Sequence, residues 1–405
     1  MAAEQRSEFI QLGPWSGLNL ESSPNSPDFA PGDRRAALTV ASNVDISDSG
    51  WIKRRSGFTR RTSSGDGKAL YSAYGLTLGQ DGTMINAVDT GTWAKTPVVT
   101  GLSGERVVFH AHADQIFWTD GIDTGRIFQD GTATNWGCAV APMPLLTAVA
   151  GSLREGRYMV ACTFVDAAGV EHGAPEATII DITDNQNISV SVSPIDPRAA
   201  YVKVYATKPN NFELFYVGTI PVASLPFVIS DVEVSEEPLR TQHLSPPLPA
   251  DGMFSYRGLL VLFADNFLFP SYGPNAHLYE ITDIIESRPT KILAGVGLSD
   301  GFWVVCEDGA FWTSGADPES WQTWRRDNRA YAAGSLVLSG TLIPELNTPL
   351  GVALFVSEHG LVAGMPGGAI YPLMQDKIHL EVAGKRASIA YREVGDLRQV
   401  VWSLE

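Results

Sequence analysis

Ile116-Phe-Trp-Thr-Asp-Gly121 and Ala310-Phe-Trp-Thr-Ser-Gly315 are near repeats of one another, and each ends a run of strand-forming residues on a small polar residue followed by glycine. Asp-Gly after such a run is among the strongest short-range hairpin signals. Nothing between the two segments continues their period, because residues 144–247 have a different texture. The simplest account is one architecture of repeated hairpins interrupted by an inserted domain. Repeated hairpins of this kind build β-propellers.

The surrounding sequence extends the pattern. Residues 68–78 are apolar and aromatic, Gln80-Asp-Gly82 marks a turn, 83–88 read as a strand, and 106–114 alternate. Downstream, 257–263 and 266–269 form a hairpin pair. Three strands follow at 291–296, 301–306 and 310–313, turning at Glu307-Asp-Gly309, and 351–357, 360–363 and 369–373 repeat the scheme. The last strands are expected at 388–392 and 399–404. The inserted block has its own rhythm, with strands at 156–165, 177–182, 188–192, 201–207, 215–220 and 227–231. Six or seven short strands in about 100 residues is the count of an immunoglobulin-like or fibronectin-type sandwich. The cysteine pair of antibody domains is missing, which favours the fibronectin type. Pro14, Pro24, Pro27 and Pro31 keep breaking the first 62 residues, where only 33–44 suit a short helix with Asp33 as its cap.

The expected fold is therefore all-β: a β-propeller with an inserted fibronectin/immunoglobulin-like β-sandwich and an extended N-terminal arm. The boundaries are 1–62 for the arm, 63–143 for the first part of the propeller, 144–247 for the sandwich and 248–405 for the second part. Without arm and insert, about 245 residues remain, enough for five or six blades of roughly 40–45 residues.

Composition narrows the function. Charged residues make up only 18% of the chain, which fits a surface partly covered by other subunits, and the formal net charge is −16. An acidic chain does not wrap duplex DNA tightly, since that takes clustered Lys and Arg to release counterions. DNA passing through an acid-lined channel is a different matter, because weak sticking is then an advantage. The exception to the acidity is Trp51-Ile-Lys-Arg-Arg-Ser-Gly-Phe-Thr-Arg-Arg61, whose Lys53, Arg54, Arg55, Arg60 and Arg61 suit phosphate contact or, better, docking on an acidic neighbour. Cys138, Cys162 and Cys306 are odd in number and far apart, which speaks against a disulfide framework and for a reducing compartment. The first residues lack the apolar core of a signal peptide, and no run approaches the roughly 18 apolar residues of a membrane span.

Several segments resemble catalytic motifs, and each has a plainer reading. Gly297-Leu-Ser-Asp-Gly301 has the Gly-x-Ser-x-Gly spacing of a nucleophile elbow, with His359 and His379 downstream. That motif needs a helix after it, whereas Phe302-Trp-Val-Val-Cys306 reads as a strand, so a hairpin turn is expected. His110, His112 and Asp114 share one strand face and the ligand types of a transition-metal site, but no second cluster accompanies them. Asp265, Glu280 and Asp283 are acidic residues without the motif repeats of sialidase propellers. Trp321, Trp324, Arg325, Arg326 and Arg329 interleave aromatic and basic side chains in a composition that suits a subunit interface better than a ligand site. Asn187-Ile-Ser189 fits a glycosylation sequon, which is without meaning in the absence of secretion.

Trp15-Ser-Gly-Leu-Asn19, Asn43-Val-Asp45 and Gly50-Trp-Ile-Lys-Arg-Arg-Ser-Gly57 follow one another in an order that resembles the opening of bacteriophage tail and DNA-stabilisation proteins. Thr163-Phe-Val-Asp-Ala-Ala-Gly169, the strand at 201–207 and Gly360-Leu-Val-Ala-Gly364 are similar to later parts of that family, so the resemblance spans nearly the whole chain. It implies a non-enzymatic virion protein without cofactor, assembled in the host bacterial cytoplasm into the tail. In that family the propeller forms a nozzle or hub ring that walls the DNA channel and retains the genome until ejection. The partners implied are further copies in a homo-oligomeric ring (a hexamer), a portal-proximal adaptor, other tail proteins and, transiently, genomic DNA. The inserted sandwich departs from many such nozzles. A host-recognition protein binding receptor or glycan, and a propeller hydrolase, are the rival readings.

Overall fold

In the computed structural model, residues 44–46, 52–54 and 67–405 are described, except 233–235, 281–285, 344–345, 347, 375–377 and 395–396. The helix expected over 33–44, and nearly all of the arm, lie outside the described residues. Within the arm, Val44–Ile46 and Ile52–Arg54 pair as an antiparallel hairpin. The chain divides into two units, one made of Ser64–Lys291 with Ala316–Ser320, the other of Met1–Ser63, Ile292–Gly315 and Trp321–Glu405.

The unit from Ser64 holds three meandering antiparallel sheets whose spatial order is their sequence order. Gly67–Ala73, Leu76–Asp81, Met84–Val88 and Lys95–Thr100 form the first, and Val108–His112, Gln115–Thr119, Thr124–Phe128 and Ala133–Asn135 the second. Gly252–Tyr256, Leu259–Ala264, Phe267–Tyr272 and Asn275–Tyr279 form the third, with Glu286–Ser287 also paired to Phe267–Tyr272. Tight turns with positive φ join neighbouring strands: Tyr74-Gly75 (51° and 80°), Ala113-Asp114 (45° and 61°) and Arg257-Gly258 (48° and 83°). Two successive left-handed residues match the twist of the flanking strands. The first of these turns splits the 68–78 run, which has no polar break in sequence, into two strands.

The second sheet is covered on both faces. Leu78, Ile85, Phe109, Ile116 and Trp118 form one apolar layer with the first sheet, and Phe117, Trp136, Met253, Leu262 and Tyr279 another with the third. Burial on both faces explains why Gln115–Thr119 reads as a continuous apolar run and not as an alternation.

The sandwich follows the second sheet in the chain. Leu145–Leu153, Gln186–Ser191 and Phe227–Ile229 form one sheet; Thr178–Ile182, Gly156–Asp166, Ala199–Ala206 and Phe215–Pro221 form the other. Tyr158, Val160, Cys162, Phe164, Ile188, Val190, Val202 and Val204 fill the space between them. The four-stranded sheet has the C′-C-F-G order of an immunoglobulin-type sandwich, and the first strand pairs the fourth as B pairs E. No A strand precedes B. The seventh strand, which comes last in sequence, lies beside E instead. Asn187 shows how tightly the edge is built: its Oδ1 accepts from the N–H of Ser152 (2.8 Å) and Leu153 (3.3 Å), and a Cβ on Gly151 would lie 1.9 Å from its Cγ. The sequon asparagine is thus a buried structural residue.

The other unit repeats the meander. Ile292–Gly297, Phe302–Cys306, Gly309–Ser314 and Gln322–Asp327 form the fourth sheet; Leu336–Ser339, Gly351–Ser357, Gly360–Gly364 and Ile370–Pro372 form the fifth. Ala387–Val394 and Leu397–Leu404 form a two-stranded sixth sheet. Trp303, Val305, Trp312 and Phe355 pack the fourth sheet on the fifth, and Leu354, Val356, Leu361 and Ala363 pack the fifth with Ile389, Val400 and Trp402 of the sixth. The fold is all-β, with propeller-type blades and an inserted fibronectin-like sandwich. The two Phe-Trp-Thr segments do not hold equivalent places in it. Gln115–Thr119 is the second strand of its sheet and Gly309–Ser314 the third of its own, so the repeat is one of hairpin chemistry and not of blade register.

Candidate functional site

Strand alternation divides Val108–His112 between two neighbours. Phe109 stacks on Tyr71 of the first sheet (5.7 Å between centroids), and the Tyr71 hydroxyl accepts from the Ala111 N–H. His110 and His112 point the other way, where His110 Nε2 and His112 Nδ1 each lie 2.8 Å from Ser255 Oγ in the third sheet. The hydroxyl has one proton, so it donates to one ring and accepts from the other, which gives the two imidazoles complementary roles. Burial, and then the neighbouring His112, push His110 down to about 4; burial also lowers His112. Asp114 takes no part, since it sits exposed in the turn at φ 61°. Among the described residues no three His, Cys, Asp or Glu side chains are grouped closely enough to hold a metal. Neither ring bonds a carboxylate, the group that orients the base in a serine triad.

A second histidine pair joins the sandwich to its flanking sheets. His172 and His277 meet edge to face at 5.2 Å. His172 Nδ1 accepts from the Cys138 N–H (3.3 Å), so its Nε2 carries the proton and faces Asp166 Oδ2 at 3.8 Å. Asp166 also attracts Arg126 of the second sheet (3.5 Å), and His277 Nε2 donates to the Glu171 carbonyl (3.0 Å). Burial, followed by His277, lowers His172 to about 4, and burial lowers His277 as well. The Glu171 carboxylate is saturated by Thr163, Tyr205 and Lys203 at 2.6–2.8 Å. These polar groups tie three elements together and leave little to offer a ligand. Nearby, Pro142, Phe164, Pro194, Ile195 and the Asp196–Arg198 ion pair line a mostly apolar cleft of about 420 Å³. Sequence gave no sign of this junction, because His172 and His277 stand more than 100 positions apart in segments without periodicity.

The segments singled out in sequence are distributed differently. Gly297-Leu-Ser-Asp-Gly301 is a hairpin turn: Gly297 pairs Phe302, and the Leu298 N–H donates to the Gly301 carbonyl. Ser299 has no following helix to support it. Asp265 lies in a tight turn (φ 51°), Glu280 is exposed, and Asp283 is outside the described residues. Lys53 and Arg54 belong to the backbone hairpin in the arm, while Arg55, Arg60 and Arg61 are outside the described residues.

The Trp321–Arg329 group is split by the fourth sheet. Trp321 is buried edge-on against Phe302 (4.8 Å), whereas Trp324 is 39% exposed with Arg326 over its ring at 5.6 Å. Arg325 pairs with Asp308 and Arg329 with Asp327, each at 3.0 Å. Trp324 and Arg326 are what the outermost strand presents.

No protein-family model and no curated protein matches the chain. Among solved structures it is similar to the extracellular domain of BT4673 from B. thetaiotaomicron, at 10% identity and a TM-score of 0.25, over 90% of this chain and 49% of that one. It is also similar to Sqt1 of Saccharomyces cerevisiae, at 10% identity and 0.23 over 71% and 80%. A third is PorZ of Porphyromonas gingivalis, a surface component of the type-IX secretion system, at 9% identity and 0.20 over 75% and 46%. The chain thus spans about half the length of the BT4673 domain. The fold description rests on strand order and packing and not on these neighbours. No helix among the described residues is long and apolar enough to cross a membrane.

Proposed function

We propose that this chain is a non-enzymatic structural component of a tailed-bacteriophage virion, a tail nozzle or hub subunit that forms a ring around the DNA channel and retains the genome until ejection. The observation that carries the reading is the order of the arm motifs, Trp15-Ser-Gly-Leu-Asn19 to Gly50-Trp-Ile-Lys-Arg-Arg-Ser-Gly57, ahead of propeller-type sheets with a sandwich insert. The polar side chains inside the fold support it, since Ser255, Glu171 and Asp166 are consumed by internal partners. A net charge of −16 suits a wall along which DNA slides without sticking. The ring is a homo-hexamer that meets a portal-proximal adaptor and other tail proteins, and it assembles in the host cytoplasm.

Native mass spectrometry and negative-stain imaging of the purified chain test this. Rings with a central channel, able to join tail particles, support the proposal; a monomer that joins no particle removes it. The second reading, host recognition, rests on Trp324 and Arg326, an exposed aromatic platform of the kind that stacks on sugars. Binding of envelope polysaccharide that Trp324→Ala abolishes would favour it over the nozzle.

A further inference from the structure

The five other meandering sheets each carry at least four strands, but the sixth has only Ala387–Val394 and Leu397–Leu404. Their pairing is regular from Ala387↔Leu404 to Val394↔Leu397, so the hairpin ends in a straight eight-residue edge. Every second amide and carbonyl of Leu397–Leu404 points away from its one partner. The strand has no proline or glycine, Val401 is 44% exposed, and Val400 and Trp402 pack on the fifth sheet. A long uncovered edge of β-branched and aromatic residues recruits other strands, and natural sheets cover or charge such edges. An isolated two-stranded hairpin is also marginal by itself.

Among the described residues one other sheet has two strands, the hairpin of Val44–Ile46 and Ile52–Arg54. It belongs to the same unit as the sixth sheet. We propose that this hairpin completes the sixth sheet of its own chain: one of its strands pairs with the free edge of Leu397–Leu404, so that both ends of the chain build one four-stranded blade. Two and two strands then give the count found in the fourth and fifth sheets, and two marginal hairpins become one stable sheet. The arm motifs quoted from the sequence acquire a structural task that holds whether or not the chain is a tail protein. The basic residues beside the hairpin would be carried to the outer side of that blade.

Hydrogen exchange on the full-length chain decides the matter. In the native chain the outward-facing amides of 397–404 exchange about tenfold more slowly than free amides. In Lys53→Pro or Asp45→Pro, where the ladder of the hairpin is broken, those amides speed up by about the same factor. Slow amides within 302–313 in the same variants confirm that the rest is folded. The protection also stays constant over a hundredfold range of protein concentration. Outward amides that exchange freely in the native chain overturn the proposal, as does protection unaffected by either proline. Protection that appears only at high concentration overturns it too, by assigning the edge to a second copy.

Discussion

Trp118 and Trp312 come from nearly the same six residues, yet the two sheets use them differently. Trp118 lies in a second strand, opposite Gly125, and a Cβ on that glycine would sit 2.5 Å from the ring. Its Nε1 has no hydrogen-bond partner among the described residues. Trp312 lies in a third strand, opposite Trp303, and covers two glycines: Cβ atoms on Gly301 and Gly368 would fall 2.4 and 2.6 Å from its ring. Gly301 belongs to its own sheet, whereas Gly368 lies in the short 3₁₀ turn Pro366–Gly368 of the next. A bare glycine lets an aromatic ring lie flat across a strand, so each Trp–Gly contact is a lock. Trp118 locks one hairpin; Trp312 fastens one sheet to another.

The largest effect follows from that difference. Trp312→Ala and Trp118→Ala each remove a buried ring, at a cost of about 3–5 kcal/mol, with Trp312 at the upper end. The sharper distinction is where the damage spreads. Hydrogen exchange should show Trp312→Ala loosening both 292–327 and 351–372, and Trp118→Ala loosening only 67–135. Damage from Trp312→Ala confined to its own sheet would break the comparison.

Filling the glycines gives the next effect, about 1–3 kcal/mol for overpacking. Gly301→Ala is the worse case, because the new Cβ also meets the Thr313 carbonyl at 2.5 Å, and backbone cannot turn away. At Gly125 the nearest obstacles are ring atoms of Trp118 alone. Trp118→Leu should therefore rescue part of Gly125→Ala, and a chemical-denaturation double-mutant cycle should give a coupling of at least about 0.5 kcal/mol. Additive costs would mean that the ring is not what excludes the side chain.

These contacts mark the limit of what sequence can tell. The hairpins were legible because Asp-Gly, Tyr-Gly and Arg-Gly pairs between apolar runs report local backbone geometry. The strand number of the insert was legible for the same reason. Blade register was not: Phe-Trp-Thr specifies an apolar strand followed by a turn, and nothing in six residues tells a second strand from a third. The candidate sites fared similarly. The side-by-side placement of His110 and His112 follows from alternation, but their partner Ser255 stands more than 140 positions away in another sheet. Trp321 and Trp324 look alike in sequence, and only the pairing of Gln322–Asp327 shows one buried and the other exposed.

The histidines extend the comparison to acid. His110, His112, His172 and His277, all lowered by burial, lie between residues 110 and 277. A histidine whose folded value is lowered binds its proton more readily when unfolded. Stability is therefore complete above the ordinary value of 6.5 and is lost as pH falls towards 4. For His110 and His172, each near 4, the loss between pH 7 and 5.5 is about 1 kcal/mol apiece. The first three sheets and the sandwich should loosen before the fourth and fifth as pH is lowered, followed by hydrogen exchange at each pH. His172→Gln should flatten that response at the sandwich junction while leaving the His110–Ser255 side unchanged.

The smallest effect is expected beside Trp312 itself. Trp324 is its cross-strand partner on the outermost strand, so two tryptophans stand next to each other on one sheet, one covered and one open. The buried ring holds sheets together, but the open one has only the Arg326 guanidinium over it. Arg326→Ala should change stability by less than about 0.5 kcal/mol, as at other surface positions. Trp324→Ala should cost little more, since an edge ring that is 39% exposed gives up less apolar burial. If the strand is a subunit contact, these same variants should weaken the assembly while the thermal midpoint of the dissociated chain stays in place. A large drop in that midpoint would show that Trp324 supports its own sheet as Trp312 does, and the distinction between the two rings would fail.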